Sequence, residues 1–168
     1  MKCVRQCVAF WMGFLLALVC AYKFLFLVCR NKEKKIAKFR KYFNTLDKWL
    51  GLNRKKFLLK NFLLQNNYKS VAIYGIGIMG KQLLEELRGG EIDIVYSIDA
   101  NRKNDGLNIP VKTLDDDLEE VDIIIVTPSF DFEEIKAKLE MKVSCPIISL
   151  EQLIGEWYEE CGAVQERI

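Results

Sequence analysis

The chain has 168 residues, 51% hydrophobic, with six cysteines and no histidine, a length that suits one ordinary domain plus an appendage. Its net charge of +2 hides a division: residues 1–69 hold 16 Lys/Arg against two acids, and residues 70–168 hold 9 against 21. Without histidine there is no Ser-His-Asp or Cys-His catalysis; with no C-x-x-C pair either, no zinc or other metal is expected. The acidic part argues against a nucleic-acid-binding domain, whereas the basic part suits phosphate-bearing surfaces such as lipid headgroups.

Gln6 to Tyr22 contains no charged residue, and after Lys23 the run "FLFLVC" carries the apolar stretch to Cys29. That is long enough to cross a bilayer core of ~30 Å at ~1.5 Å per residue. Lys23 lies in its last third, from which a lysine snorkels to the headgroups. Lys2 and Arg5 precede the run; Arg30, Lys32, Lys34, Lys35, Lys38, Arg40 and Lys41 follow it. By the positive-inside rule, the expectation is a single-pass anchor over residues 1–30 in the inner (cytoplasmic) membrane, with the C-terminal part in the cytoplasm. The competing readings are a cleaved signal peptide with small residues at Val19-Cys20-Ala21, which would leave a greasy new terminus, and an interfacial or buried helix. The cysteines read as reduced and structural, with Cys3 and Cys7 open to acylation on a cytoplasmic face.

Residues 31–67 read as a basic amphipathic linker. Ile36, Phe39, Phe43, Leu46 and Leu50 recur at three- and four-residue steps between basic residues. Such a helix beside a membrane segment suits an anionic inner leaflet, and equally suits packing of its apolar stripe on the globular part. A break is expected near Gly51, then a short second helix within "RKKFLLKNFLLQNN".

Residues 68–168 alternate short apolar runs with helical stretches. "SVAIYG", "EIDIVYSID", "VDIIIVTPS" and "CPIISL" read as strands. "LNIPV" reads as an edge piece, because Pro110 cannot donate to a central ladder. "IMGKQLLEELRGG", "FDFEEIKAKLE" and "EQLIGEWYEEC" read as helices, and "TLDDDLEE" as a short one capped by Thr113. The expected fold class is α/β: a Rossmann-like parallel sheet of about five strands in the order 3-2-1-4-5, with helices on both faces.

Gly75-Ile76-Gly77-Ile78-Met79-Gly80 follows a strand and opens a helix, the context a dinucleotide-binding turn requires. Gly75 permits the tight turn, Gly77 lets backbone approach a pyrophosphate, and Gly80 lets helix pack on strand. Ile78 and Met79 complete the cradle, where a helix N-terminus offers N–H groups and a positive dipole end. Asp99 ends the second strand, 19 residues past Gly80, where an acid would bond a ribose hydroxyl. Arg102 and Lys103 just beyond suit a 2′-phosphate, so NAD and NADP both stay open. Thr127 closes the third strand beside the first and either contacts a ribose or caps the strand. The plainer reading of all these residues is that glycines serve packing and Asp99 merely ends a strand. The acidic run Asp115-Asp116-Asp117 with Glu119 and Glu120 reads as a solvated helix start. No tyrosine has a lysine four residues later, and no separate catalytic domain follows, so an enzyme is not favoured.

The stretches "YKSVAIYGIGIMGKQLLEEL", "IVYSIDAN", "IPVKTLDDDLEEVDIIIVTPS" and "CPIISLEQL" resemble the Rossmann modules of bacterial polysaccharide-biosynthesis proteins. They are similar to the module that precedes membrane-bound sugar-nucleotide epimerase/dehydratase domains, and to small modules that accompany glycosyltransferases. That resemblance implies NAD(P) or sugar-nucleotide binding at the inner membrane beside surface-glycan assembly, with glycosyltransferases or polysaccharide enzymes as partners. It carries the phosphate-loop role to Gly75, Gly77 and Gly80 and the ribose role to Asp99. The alternatives are a small NAD(P)-dependent oxidoreductase or sugar-nucleotide-modifying enzyme, and a scaffold on a degenerate Rossmann fold.

Overall fold

The computed structural model describes residues 2–100 and 108–165, without the side chains of residues 2–10, 13, 14, 16, 17 and 163–165. The chain forms two compact units, Met1–Phe43 and Asn44–Ile168. Helix α1, Lys2–Arg54, runs without a break through the first unit. There Ile36, Phe39 and Phe43 are exposed, as are Trp11, Tyr22, Phe24 and Phe26 before them, while Val28 is half-buried. Among the described residues, no helix is long and apolar enough to cross a membrane. Residues 6–10, 13, 14, 16 and 17 of the run expected to do so have side chains outside that description.

In the second unit, the end of α1 buries Thr45, Trp49 and Leu52, which share one helix face at four- and three-residue steps. The helix does not break at Gly51 as expected. Trp49 and Leu52 on either side are each 2% exposed, and their burial outweighs the roughly 1 kcal/mol that an interior glycine costs. The chain then turns through Lys56, at φ 60°, into α2, Leu59–Gln65. A left-handed Asn67 ends α2, and the Tyr68 N–H donates back to the Leu63 carbonyl.

Five strands follow: β1 Ser70–Tyr74, β2 Asp93–Ile98, β3 Val111–Lys112, β4 Ile123–Val126 and β5 Ile147–Ser149. All pair in parallel, in the order β3-β2-β1-β4-β5. This is the strand number and order expected from the alternation. Pro110 precedes β3 at the edge, and its carbonyl accepts from the Ser97 N–H.

The period-two pleat divides the core. Ala72, Ile124 and Val126 face α4 (Phe132–Glu140), which buries Ile135 and Leu139 against them. Val71, Ile73, Ile123 and Ile125 point the other way and are equally inaccessible, as a parallel sheet covered on both faces requires. Further buried helical residues come from α2, with Leu59, Phe62 and Leu63, from α3, Ile78–Leu87, with Leu83, Leu84 and Leu87, and from α5, Leu150–Gln165, with Leu153, Ile154 and Trp157. Glu86 of α3 ties the helical layer together. Its carboxylate accepts from Trp49 Nε1, from Asn53 Nδ2 and from the backbone N–H of Leu59.

One expected helix is not there. Residues 113–120 form a turn and a bend followed by a stretch without regular structure. The Asp116 carboxylate accepts from both the backbone N–H and the hydroxyl of Thr113, and Lys112 Nζ bonds the Asp117 carbonyl and the Glu119 carboxylate. These local side-chain bonds offer the backbone an alternative to a helical ladder.

Candidate functional site

Register alone assembles the site. Tyr74, the last residue of β1, is aligned with Ile98 at the end of β2 and with Val126 at the end of β4. The next residues, Gly75, Asp99 and Thr127, therefore leave the sheet side by side at its carboxyl edge, where open α/β sheets bind ligands. The Gly75 N–H donates to the Ile98 carbonyl at 2.8 Å, and the Thr127 N–H to the Tyr74 carbonyl at 3.0 Å. All three of these candidate residues are thus brought together.

The three glycines of the turn have different physical reasons. Gly75 sits at φ +88°, and a Cβ there would lie 2.9 Å from both Pro128 Cδ and Thr127 Oγ1. Gly80 is the tightest point: a Cβ there would lie 2.0 Å from the Gly75 carbonyl oxygen, so helix α3 lies directly against the loop. Gly77, the N-cap of α3, has φ −74°, and its Cβ would meet nothing within 4 Å. Neither backbone conformation nor packing demands a glycine there. Gly51 and Gly155 also face open space, but on helix surfaces, whereas the space beside Gly77 lies at the start of a helix.

No side chain caps α3, and no acid stands in its first turn. The first N–H groups of a helix have no acceptor within it, so this end presents donors and a positive dipole end. Ile78 is 87% exposed at the mouth, while Met79 turns inward and is buried. The chemistry of this donor set, together with the room at Gly77, fits a phosphate or pyrophosphate.

The polar side chains hold the turn. Thr127 is buried, and its hydroxyl lies 2.8 Å from the Gly75 carbonyl and 3.2 Å from that of Tyr74. Asp99 Oδ2 accepts from the Ile76 N–H at 3.0 Å, fixing the loop between the first two glycines. Arg102 and Lys103 lie outside the described residues.

Two neighbours had not been singled out in the sequence. The Pro128 ring occupies the volume that a Gly75 side chain would need; a Thr-Pro pair closing a buried strand was its available signal. Tyr74 is half-buried on the α4 side of the sheet, and burial pushes its hydroxyl pKa up, partly offset by the Lys138 ammonium. Lys138 is itself paired with Glu134, which holds the Glu134 carboxyl below its usual range.

At the opposite edge of the sheet, Asp122 accepts from the Lys69 and Ser70 N–H groups, which hold its carboxyl below its ordinary value. Among the described residues, no cluster of three or more His, Cys, Asp or Glu side chains could hold a metal ion. The chain matches no protein-family model, and no curated protein or solved structure is detectably similar to it.

Proposed function

We propose that the chain is a membrane-anchored, non-catalytic nucleotide-binding module that serves surface-polysaccharide assembly. The observation that carries the reading is the Gly75–Gly80 turn, whose middle glycine is required by neither conformation nor packing and stands beside uncapped helix amides. The ligand class is NAD(P) or a sugar nucleotide, with its phosphates on Gly77–Gly80 and its ribose toward Asp99. Residues 1–30 act as the anchor, and the basic residues just past it, Arg30, Lys32 and Lys34, meet anionic headgroups of the inner leaflet. The setting beside glycosyltransferases or polysaccharide enzymes rests on the sequence resemblance.

Calorimetry on the full chain in detergent, with NAD(H), NADP(H) and UDP-sugars, tests the binding. Saturable heat that Gly77→Val abolishes is the expected result; no binding at millimolar ligand overturns it. One observation favours the scaffold reading instead: the Thr127 hydroxyl and one Asp99 oxygen are already engaged inside the turn. A folded chain that binds none of these ligands but retains a protein partner in membranes would select that reading.

A further inference from the structure

The two helices that start beside the glycine turn, at the carboxyl edge of the sheet, carry opposite charge. Helix α3, which follows β1, has no acid in its first turn, carries Lys81 next to Gly80, and meets its first acid only at Glu85. Helix α4, which follows β4, opens with Asp131 at its N-cap and with Glu133 and Glu134 in its first turn. Those acids already answer the positive end of α4, so of the two helix ends only that of α3 is left for phosphate. Asp131 makes no capping hydrogen bond through its side chain. Glu134 is paired with Lys138, but among the described residues Asp131 and Glu133 have no ion-pair partner.

Tyr74 lies between the two helix ends, as the last residue of β1, half-buried on the α4 side. Its hydroxyl reports the local field. Burial raises its pKa most, the Lys138 ammonium works against that, and Asp99, Glu134 and Asp131 raise it further. Three carboxylates against one ammonium therefore act on this part of the edge, and the ammonium is already committed to Glu134.

Strand order then orients a ligand. This inference rests on the reading above, with the ribose toward Asp99 on β2 and the diphosphate on the α3 end. Whatever the second phosphate carries must then pass toward β4, on the other side of β1. Adjacent strands lie only about 4.8 Å apart, so that group comes up against Tyr74 and the start of α4. Sugar hydroxyls donate to carboxylates and exchange hydrogen bonds with a tyrosine hydroxyl. An ammonium is drawn to the same acids, and a carboxylate is repelled by them.

We propose that the site takes a nucleoside diphosphate carrying an uncharged or amino sugar, and that Asp131 and Glu133 reject sugars that bear an acid.

Calorimetry on the full chain in detergent at low salt tests it by comparing UDP-glucose with UDP-glucuronate, which differ in a hydroxymethyl against a carboxylate. A carboxylate about 7 Å from one acid in a water-like medium loses about threefold in affinity, so two unpaired acids give about five- to tenfold. UDP-glucose should bind tighter by that factor, and the gap should shrink at high salt. It should close in Asp131→Asn/Glu133→Gln, whose helix content circular dichroism checks. Equal affinities in wild type, or a gap that the folded double variant leaves unchanged, overturn the proposal. A chain that binds NAD(H) or NADP(H) but neither UDP-sugar also overturns it, while leaving the nucleotide-binding reading in place. Binding of none of these ligands refutes that reading, and this proposal with it.

Discussion

Replacing Gly80 by Ala places a methyl group 2.0 Å from the Gly75 carbonyl oxygen and 3.1 Å from its carbon. Nonbonded heavy atoms settle at about 3.5–4.0 Å, so the start of α3 or the loop must move by more than about 1 Å. Forced overpacking of this kind costs about 1–3 kcal/mol. The movement also pulls the Gly75 carbonyl from the Thr127 hydroxyl, a further loss of about 1 kcal/mol. Alanine's better helix propensity returns up to about 1 kcal/mol. The net expectation is a destabilisation of about 1–3 kcal/mol. Gly77→Ala meets no neighbour and needs no unusual φ, so it loses only an N-cap preference of at most about 1 kcal/mol. Urea unfolding, followed by the fluorescence of the buried Trp49 and Trp157, reads both. Equal midpoints for Gly80→Ala and Gly77→Ala would refute the assignment of Gly80 to packing and Gly77 to ligand approach.

Thr127→Val keeps the shape but leaves the Gly75 carbonyl without its hydroxyl donor; thermal unfolding should show a loss of about 1–3 kcal/mol, and an unchanged midpoint would remove the clamp. Glu86→Ala strips the acceptor from Trp49 Nε1, Asn53 and the start of α2, again a loss of about 1–3 kcal/mol. In a variant retaining only Trp49, its emission should shift to the red, and an unshifted spectrum would count against that junction. Asp122→Asn addresses pH. The Ser70 and Lys69 N–H groups hold the folded carboxyl below its ordinary 3.8, so its contribution is present above that value and is lost as pH falls through the folded pKa. The stability gap between wild type and Asp122→Asn should therefore be constant above that value and shrink below it; a flat gap refutes the assignment.

The sheet was legible because its strands are near-continuous β-branched runs. "VDIIIV" and "SVAIY" admit few other readings, and their alternation with amphipathic stretches leaves a parallel sheet as the simplest topology. Two local readings failed for tertiary and side-chain reasons. Gly51 sits in a helix because Trp49 and Leu52 are buried on either side of it, which no window around the glycine can reveal. Thr113 caps no helix because Asp116 turns back on it and Lys112 engages the segment beyond. The site was legible in its positions and less so in its roles. Its residues end three strands, so chain order alone brings them to one edge. That Pro128 fills the space beside Gly75, and that Thr127 holds a loop 52 residues away in sequence, follows only from strand register.

The same geometry decides how mutants of the site must be read. Gly75, Gly80 and Thr127 each support the turn, so lost binding at any of them cannot distinguish a missing contact from a collapsed cradle. Asp99 can be divided. Asp99→Asn keeps an oxygen for the Ile76 N–H, now at 3.0 Å from Oδ2, while removing the charge that would accept from a ribose hydroxyl. A hydrogen bond to a charged group contributes about 1.5–3 kcal/mol, so losing it weakens nucleotide affinity by roughly 10- to 100-fold. Unfolding of the variant should stay close to wild type, while Asp99→Ala loses stability and affinity together. If Asp99→Asn binds as tightly as wild type, Asp99 is a loop tether alone. Specificity for the ribose must then come from elsewhere on the edge.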